Sequence, residues 1–519
     1  MSEILIKPTK RYRDLSELVK DAAALYGDKA AFSYKVKKDV VSKSYNEVLA
    51  DSMAFSNALK SNGYLGKHVG VVGATSYPWI ITYFGTVNSG SVIVPIDKEL
   101  SGADIAELLN RADVSVLVYD SLLADRIDTI RESCSGISLY IDISLESDSD
   151  KAIAFENFLN GNYGEFSTEI DPEKMCSILF TSGTTGRSKG VMLSHKSLAD
   201  NATCMDMGEC DDTVSFTVLP IHHAYCFTCD ILACMCVGAT ICFNDSMMRI
   251  VKNLQLFKPH IMLLVPLIIE TLNFKLGELC RQYPDVPKRA LAVQVFGENL
   301  HTIYSGGAYL NPKLIEQFKE YGIALVQGYG MTEFSPRISA NMKTYSKLGS
   351  VGHLIPGCEA KIEDGEILVK GDSRMIGYYK DETETNKAIT PDGWLRTGDL
   401  GYVDEDGFVF ITGQEIFAEV RDNFMKADVS DYKGHLALQV NLTGEGSGIF
   451  YAELNDGELR VEPYDYNDRD VLFIVDSKVF LKIVHGKLDP VLAFTVGKLK
   501  IEGDLGKALE IQRLIKQSK

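Results

Sequence analysis

A string of small hydroxylated residues and glycines, Thr181-Ser182-Gly183-Thr184-Thr185-Gly186-Arg187-Ser188-Lys189-Gly190, follows directly on an apolar run from Ser177 to Phe180. Small side chains let backbone N–H groups approach an anion, the hydroxyls add donors, and Lys189 supplies the charge that a polyphosphate needs. The spacing is not Gly-x-x-x-x-Gly-Lys-Ser/Thr, so this is no Walker loop. A solvated Ser/Gly linker is the alternative, but linkers seldom follow a buried strand with so ordered a string. A second cluster, His222, His223, Cys226 and Cys229, imitates a zinc set. A lone Cys-x-x-Cys inside an apolar stretch lacks a second pair at finger spacing, so zinc is disfavoured and satisfied core histidines are the plain reading.

The elements that must position these groups fall into three parts. From Asp14 to about Asp120, and again from Ser177 to about Gly349, helix and strand patterns alternate: Ser44-Tyr45-Asn46-Glu47 is a capping box opening an amphipathic run through Leu59, and Val69 to Val72, Val92 to Val94 and Val114 to Tyr119 are buried-strand candidates. This predicts an α/β fold with helix-covered sheets. The acidic, Ser-rich stretch Glu132 to Glu173 reads as surface connections. From Ser350 to Gly413 short strands and the turns Asp364-Gly365, Asp392-Gly393 and Asp406-Gly407 predict a small β-subdomain. After Gly413 an amphipathic helix (Glu415 to Lys426), the strict alternation of Leu436, Leu438, Val440 and Leu442, a hairpin turn at Asp456-Gly457, a strand from Val471 to Val475, and helices capped by Ser477 and Asp504 predict a separate α+β domain. The boundaries are 1–413 and 414–519.

The chain has 519 residues, 45% hydrophobic and 24% charged, with a net charge of −18, which argues against general attraction to nucleic acid or an anionic membrane surface. Eleven cysteines are too sparse for a disulfide scaffold and fit a reducing, cytoplasmic setting. Met1 to Asp14 has no uninterrupted apolar core, so no signal peptide is expected, and the last three residues are not Ser-Lys-Leu. Val218 to Phe243 is apolar but contains His222, His223 and Asp230; a charge at a bilayer centre costs about 3 kcal/mol, so the stretch reads as a buried helix and no transmembrane segment is expected.

The phosphate loop resembles the signature loop of the adenylate-forming acyl-CoA synthetase superfamily. Ser305-Gly306-Gly307-Ala308, Gln327-Gly328-Tyr329-Gly330-Met331-Thr332-Glu333 and Gly393-Trp394-Leu395-Arg396-Thr397-Gly398-Asp399-Leu400 follow in the family's order, and Pro220-Ile221-His222-His223 is similar to its acyl-pocket motif. The resemblance spans about residues 14 to 413. It implies that Thr181, Ser182, Gly183, Thr184, Thr185 and Gly186, with Lys189, hold the β- and γ-phosphates of ATP. It further implies that Tyr329 stacks on adenine with Gly307 and Ala308 along its edge, and that Asp399 accepts from the ribose hydroxyls. Thr332 would bond the α-phosphate, Glu333 with Thr185 would hold Mg²⁺, and His223 would wall the carboxylate pocket. These assignments make Thr332, Glu333 and Lys189 the catalytic set. Turn capping by Asp399 and plain core packing by Tyr329 or His223 are the alternatives.

In that superfamily an Arg, a hinge and a small domain carrying a catalytic lysine follow the β-subdomain. Here Gln414 stands where the Arg belongs, and no lysine near the C-terminus sits in the family's context. Asn441 to Glu453, Asp489 to Phe494 and Gly497 to Leu505 instead resemble the sterol carrier protein type 2 lipid-binding domain, over about 415 to 516; Phe480, Phe494, Leu505 and Leu509 are its candidate lining residues. The combined resemblance implies AMP-forming activation of a carboxylic acid, a fatty acid in the first instance, to acyl-adenylate and then to a coenzyme A thioester. ATP, Mg²⁺ and coenzyme A are the implied cofactors. A separate small domain or protein completing the active site is an implied partner. The alternative is a non-catalytic lipid-binding or lipid-presenting protein that retains the nucleotide site.

Overall fold

The computed structural model describes residues 10–181, 188–411, 414–443, 448–462, 466, 469–504, 506–508 and 510–511. Among them two large sheets face a shared interior. The first runs Gly377–Tyr378, Lys189–Ser194, Met175–Thr181, Val92–Ile96, His68–Val72, Val114–Tyr119, Leu139–Asp142 and Ile153–Ala154. Its centre is parallel, which the crossover helices Tyr77–Asn88 and Gly102–Arg111 make possible. The second runs His353–Leu354, Arg337–Ala340, Ala324–Gly330, Thr302–Ser305, Ile261–Leu264, Val214–Thr217, Thr240–Phe243, Ala30–Val36 and Asp39–Ser44.

One apolar core joins both sheets through Phe32, Val69, Trp79, Phe84, Phe227 and Ile241. Helix Tyr77–Asn88 lies inside it and is buried on every side, which explains why its sequence is apolar all round. The neighbouring helix Tyr45–Ser61 opens on the capping box read from sequence: the Glu47 N–H donates to Ser44 Oγ at 3.1 Å and the Ser44 N–H to Glu47 Oε2 at 2.8 Å.

Two readings need correction. Val218 to Phe243 is not one helix. It comprises a loop to His223, a helix from Ala224 to Cys236 whose middle, Phe227–Leu232, is a π turn, and the strand Thr240–Phe243. Nor is Glu132 to Glu173 only surface connection. Its short strands Leu139–Asp142 and Ile153–Ala154 extend the first sheet, and Phe155, Phe158 and Leu159 are buried in the main core.

The β-subdomain is a four-stranded sheet, Glu359–Glu363, Glu366–Lys370, Leu395–Val403 and Val409–Ile411. Asp364 and Gly365 have φ of 53° and 83°, the paired positive values of a two-residue hairpin turn. The C-terminal part folds around its own core, on the sheet Glu458–Glu462, Gly448–Asn455, His435–Thr443, Val471–Asp476 and Leu499–Gly503. Its helices Gln414–Phe424, Ser477–Val484 and Pro490–Thr495 contribute Phe417, Phe480 and Ala493 to that core. Asp476, not Ser477, caps the second of these, accepting from Lys478 N–H and Val479 N–H at 3.1 and 3.3 Å. Asp504 accepts from Gly506 N–H and Lys507 N–H, as a cap does.

The first helix of this part also fastens it to the large body. Arg421 Nη1 and Nη2 each donate to a carboxylate oxygen of Glu270 at 2.6 Å, and the Phe417 ring meets Tyr309 edge to face at 6.1 Å. The forked geometry is the strong form of this pair. Among the described residues no helix is long and apolar enough to cross a membrane.

Candidate nucleotide and acyl site

A cavity of about 570 Å³ opens where four strands of the second sheet end. Leu219 and Pro220 follow Val214–Thr217, Val265 follows Ile261–Leu264, Gly306 and Gly307 follow Thr302–Ser305, and Tyr329 to Thr332 close Ala324–Gly330; all line it. The three parallel neighbours among these strands put their carboxyl ends on one side, the place where open α/β sheets bind ligands. Glycine is needed at two points of the rim. A Cβ on Gly330 would lie 1.9 Å from Pro336 O, and one on Gly306 would lie 2.9 Å from the Tyr225 ring. The wall at Ser305 is polar and waiting: its Oγ is buried and has no hydrogen-bond partner.

At the mouth Tyr329 is fixed by its hydroxyl, which donates to Asp399 Oδ2 at 2.6 Å. Burial, and then the Asp399 charge, push the phenol well above its ordinary range; burial also raises the Asp399 carboxyl. Asp399 Oδ1 has no partner among the described residues, so one carboxylate oxygen holds the aromatic ring and the other is open. Glu333 is divided in the same way. Its Oε1 accepts from Tyr378 OH at 2.9 Å, which leaves a hard oxygen donor for a cation.

The phosphate loop joins two antiparallel strands, and Thr181 pairs directly with Lys189 across them. Lys189 forms an ion pair with Glu384 and stands 5.0 Å over the Tyr378 ring. Lys189 and then Lys387 hold the Glu384 carboxyl down at about 2. Lys189, Tyr378 and Glu333 thus form one chain of contacts beside the cavity.

The inner compartment is apolar and sulfur-rich, with Met205, Met207, Cys226, Cys229, Cys234 and Cys236 on its wall. The π turn sets Cys229 there; such turns concentrate at functional sites. His223 also lines the cavity, and burial lowers its pKa, so it is neutral at pH 7. His222, 4.2 Å from it ring to ring, is lowered to about 4 by burial. Cys226 Sγ is turned to Leu219 O at 3.4 Å. Among the described residues no three His, Cys, Asp or Glu side chains converge as a metal set.

The cavity therefore brings together His223, Gly307, Tyr329 and Thr332 of the residues expected from sequence; Asp399 and Glu333 join through Tyr329 and by adjacency to Thr332, while Ala308 is not part of the wall. Lys189 stands outside, held by Glu384. Ser182, Gly183, Thr184, Thr185 and Gly186 lie outside the described residues, as do Leu505 and Leu509. Phe480 sits in the C-terminal core against Phe450 at 5.7 Å, and Phe494 is 43% exposed; neither lines the small cavity of that domain, of about 20 Å³, formed by Phe424, Val429, Leu436, Leu454 and Ile511 among others. Sequence reading missed Tyr378, Glu384 and the Arg337 side chain in the inner wall, and gave Ser305, though part of a motif string, no role of its own. Tyr378 and Glu384 reach the site from elements distant in sequence, whereas Arg337 follows the 327–333 string on the next strand and nothing in its residue type marks it locally.

Residues 19–379 match the AMP-binding enzyme family, and residues 414–516 match the SCP-2 sterol transfer family. A methyl-dioxo-octahydroindenyl-propanoyl:CoA ligase of Rhodococcus jostii is 30% identical over 394 residues, covering 69% of this chain and 72% of the relative. A long-chain-fatty-acid–CoA ligase of Thermus thermophilus is 27% identical over 441 residues, 77% of this chain and 76% of the relative. Among solved structures, the N-terminal domain of FACL13 from Mycobacterium tuberculosis superposes with a TM-score of 0.66 at 21% identity, covering 77% of this chain and 99% of that one. On these matches the chain belongs to the AMP-binding enzyme family and carries, after its large domain, an SCP-2 sterol transfer domain.

Proposed function

We propose that the chain is an ATP-dependent, AMP-forming ligase that activates a fatty acid to its adenylate and then its coenzyme A thioester. The observation that carries this reading is that one cavity is lined both by Gly307, Tyr329, Thr332 and His223 and by an apolar, sulfur-rich wall. A nucleotide at the mouth and an acyl chain in the compartment would meet at Thr332 and His223. There a carboxylate oxygen attacks the α-phosphorus and pyrophosphate leaves; the thiol of coenzyme A then attacks the acyl carbon and AMP leaves. The relatives act, by their names, on acids as different as long-chain fatty acids, indoleacetate and a dioxo-octahydroindenyl propanoate. Carboxylate activation is what they share. The preference for a fatty chain rests on the apolar compartment and on the attached sterol transfer domain.

In this reading Tyr329 offers its face to adenine, Gly307 and Ala308 run along the base, and the open oxygen of Asp399 accepts from the ribose. Thr332 donates to the α-phosphate. Thr181, Ser182, Gly183, Thr184, Thr185, Gly186 and Lys189 hold the β- and γ-phosphates, and Lys189 must exchange Glu384 for them. The free oxygen of Glu333, with Thr185, suits Mg²⁺, which supplies charge neutralisation to the phosphates. Neutral His223 can donate a hydrogen bond to the incoming carboxylate. Calorimetry with Mg·ATP at millimolar concentration should give one-site binding to the whole chain; heat indistinguishable from dilution contradicts the assignment of the mouth.

The C-terminal domain is proposed to carry the acyl chain or its thioester. Its cavity of about 20 Å³ holds little more than one water, so lipid entry requires Phe424, Leu436, Leu454 and Ile511 to part. Residues 415–519, expressed alone, should fold and bind a fluorescent fatty acid one to one. Ligand at a hundred times its Kd should add about 2.7 kcal/mol of stability. A folded fragment that neither binds nor gains stability makes the domain a structural cap.

A further inference from the structure

The inner compartment is mostly apolar, but two charged side chains, Glu209 and Arg337, also line the cavity. Arg337, at the start of the strand Arg337–Ala340, lines it and is otherwise enclosed by protein. Its backbone is clamped: the Arg337 N–H donates to Asn201 Oδ1 at 3.0 Å, and Asn201 Nδ2 donates to Arg337 O at 2.9 Å and Phe334 O at 3.0 Å. The guanidinium is therefore presented from a fixed base. Its side-chain neighbours are two thiols, Cys204, whose Sγ is 3.2 Å from Nη1, and Cys229. Burial raises both thiol pKa values, so both are neutral at pH 7 and neither balances the charge.

No carboxylate lies within 4.0 Å of the guanidinium among the described residues. The acidic side chain on the cavity wall, Glu209, is already engaged by Lys343 at 2.7 Å and Tyr304 OH at 2.6 Å. A guanidinium is always charged and carries several donors in a planar fork matched to oxygen pairs. Laying methylenes over it leaves a desolvated charge without an acceptor, which is costly. A plain alkyl chain is the wrong partner for this wall.

Building on the acyl reading of the compartment, we propose that the acid taken by this site carries a second oxygen acceptor, a carboxylate or carbonyl remote from the reacting carboxylate, and that Arg337 recognises it. The substrate class is then the oxygenated fatty acids: dicarboxylic or oxo acids. Arg337 determines specificity through direct contact with the substrate chain and takes no part in the phosphoryl chemistry at Thr332.

The test is acid-dependent pyrophosphate exchange by the full chain with octanoic, dodecanoic and hexadecanoic acids, each beside its dicarboxylic and oxo counterpart. The wild type should favour an oxygenated acid by about 10²-fold in kcat/KM, the loss expected when a buried charged donor is left without its acceptor. Arg337→Met should invert the preference at unchanged Mg·ATP affinity, and Arg337→Lys should keep it in weaker form. The dicarboxylic arm tells a carboxylate from the carbonyl read by the oxo arm. A wild type that uses the plain acid equally well overturns the proposal, as does a variant in which all acids fall by one common factor while Arg337→Lys fails to restore discrimination. If no acid supports exchange, the ligase reading fails; calorimetric binding of the same acids then judges Arg337. A preference for the oxygenated acid that Arg337→Met removes supports recognition, and equal binding overturns it.

Discussion

Asp399→Ala is expected to weaken Mg·ATP binding by about 10²-fold, the loss typical of a charged hydrogen-bond acceptor. Two effects combine in that variant. The ribose loses its acceptor, and Tyr329, whose hydroxyl donates to Asp399 at 2.6 Å, loses its anchor. Tyr329→Phe separates them, because it keeps the aromatic face and removes only the anchoring hydroxyl; its affinity should stay within about 10-fold of wild type. Asp399→Asn keeps an acceptor for Tyr329 but removes the charge, and should fall between the two. Calorimetry on the three variants reads the order directly. Equal losses for Asp399→Ala and Tyr329→Phe would mean that Asp399 serves only to hold the ring.

The isolated chain should form thioester at least about 10²-fold below the ordinary turnover of about 10 s⁻¹, and should release more AMP than thioester. The physical reason is at the junction of the two domains. The strand Val409–Ile411 is followed, after two residues, by the helix Gln414–Phe424, which packs into the C-terminal core and is tied to Glu270 through Arg421. That helix, rather than a hinge and a lysine-bearing domain, occupies the place after the β-subdomain. A mixed anhydride formed in the cavity is then exposed to water. Adding a free-standing small domain from a related synthetase should raise the thioester-to-AMP ratio. Turnover near 10 s⁻¹ by the chain alone, with thioester matching AMP, would falsify this view of what the architecture lacks.

What could be read from the sequence was what is local. The capping box at Ser44, the turns at Asp364-Gly365 and Asp456-Gly457, and the strand leading into the phosphate loop each depend on a few adjacent residues, and each appears in the fold. Leu139–Asp142 and Ile153–Ala154 were not legible because two to four residues are too few to display a period. The stretch Val218 to Phe243 looked continuous because an apolar run looks the same as loop, helix or strand once every part is buried. The site divided along the same line. Tyr329, Thr332, Glu333 and Asp399 lie in motif strings, whereas Glu384 meets Lys189 across 195 residues and Arg337 meets Cys204 across 133. Phe480 and Phe494 show the limit of reading function from hydrophobicity, since one is core and the other surface.

If one cavity joins ATP to a carboxylate, the purified full chain should catalyse acid-dependent ATP–pyrophosphate exchange. Exchange should require both Mg²⁺ and a fatty or oxygenated fatty acid, and should be lost in Asp399→Ala. ATP binding without any acid-stimulated exchange, across the acids tried, would contradict that coupling and leave a nucleotide-binding, lipid-presenting protein in its place.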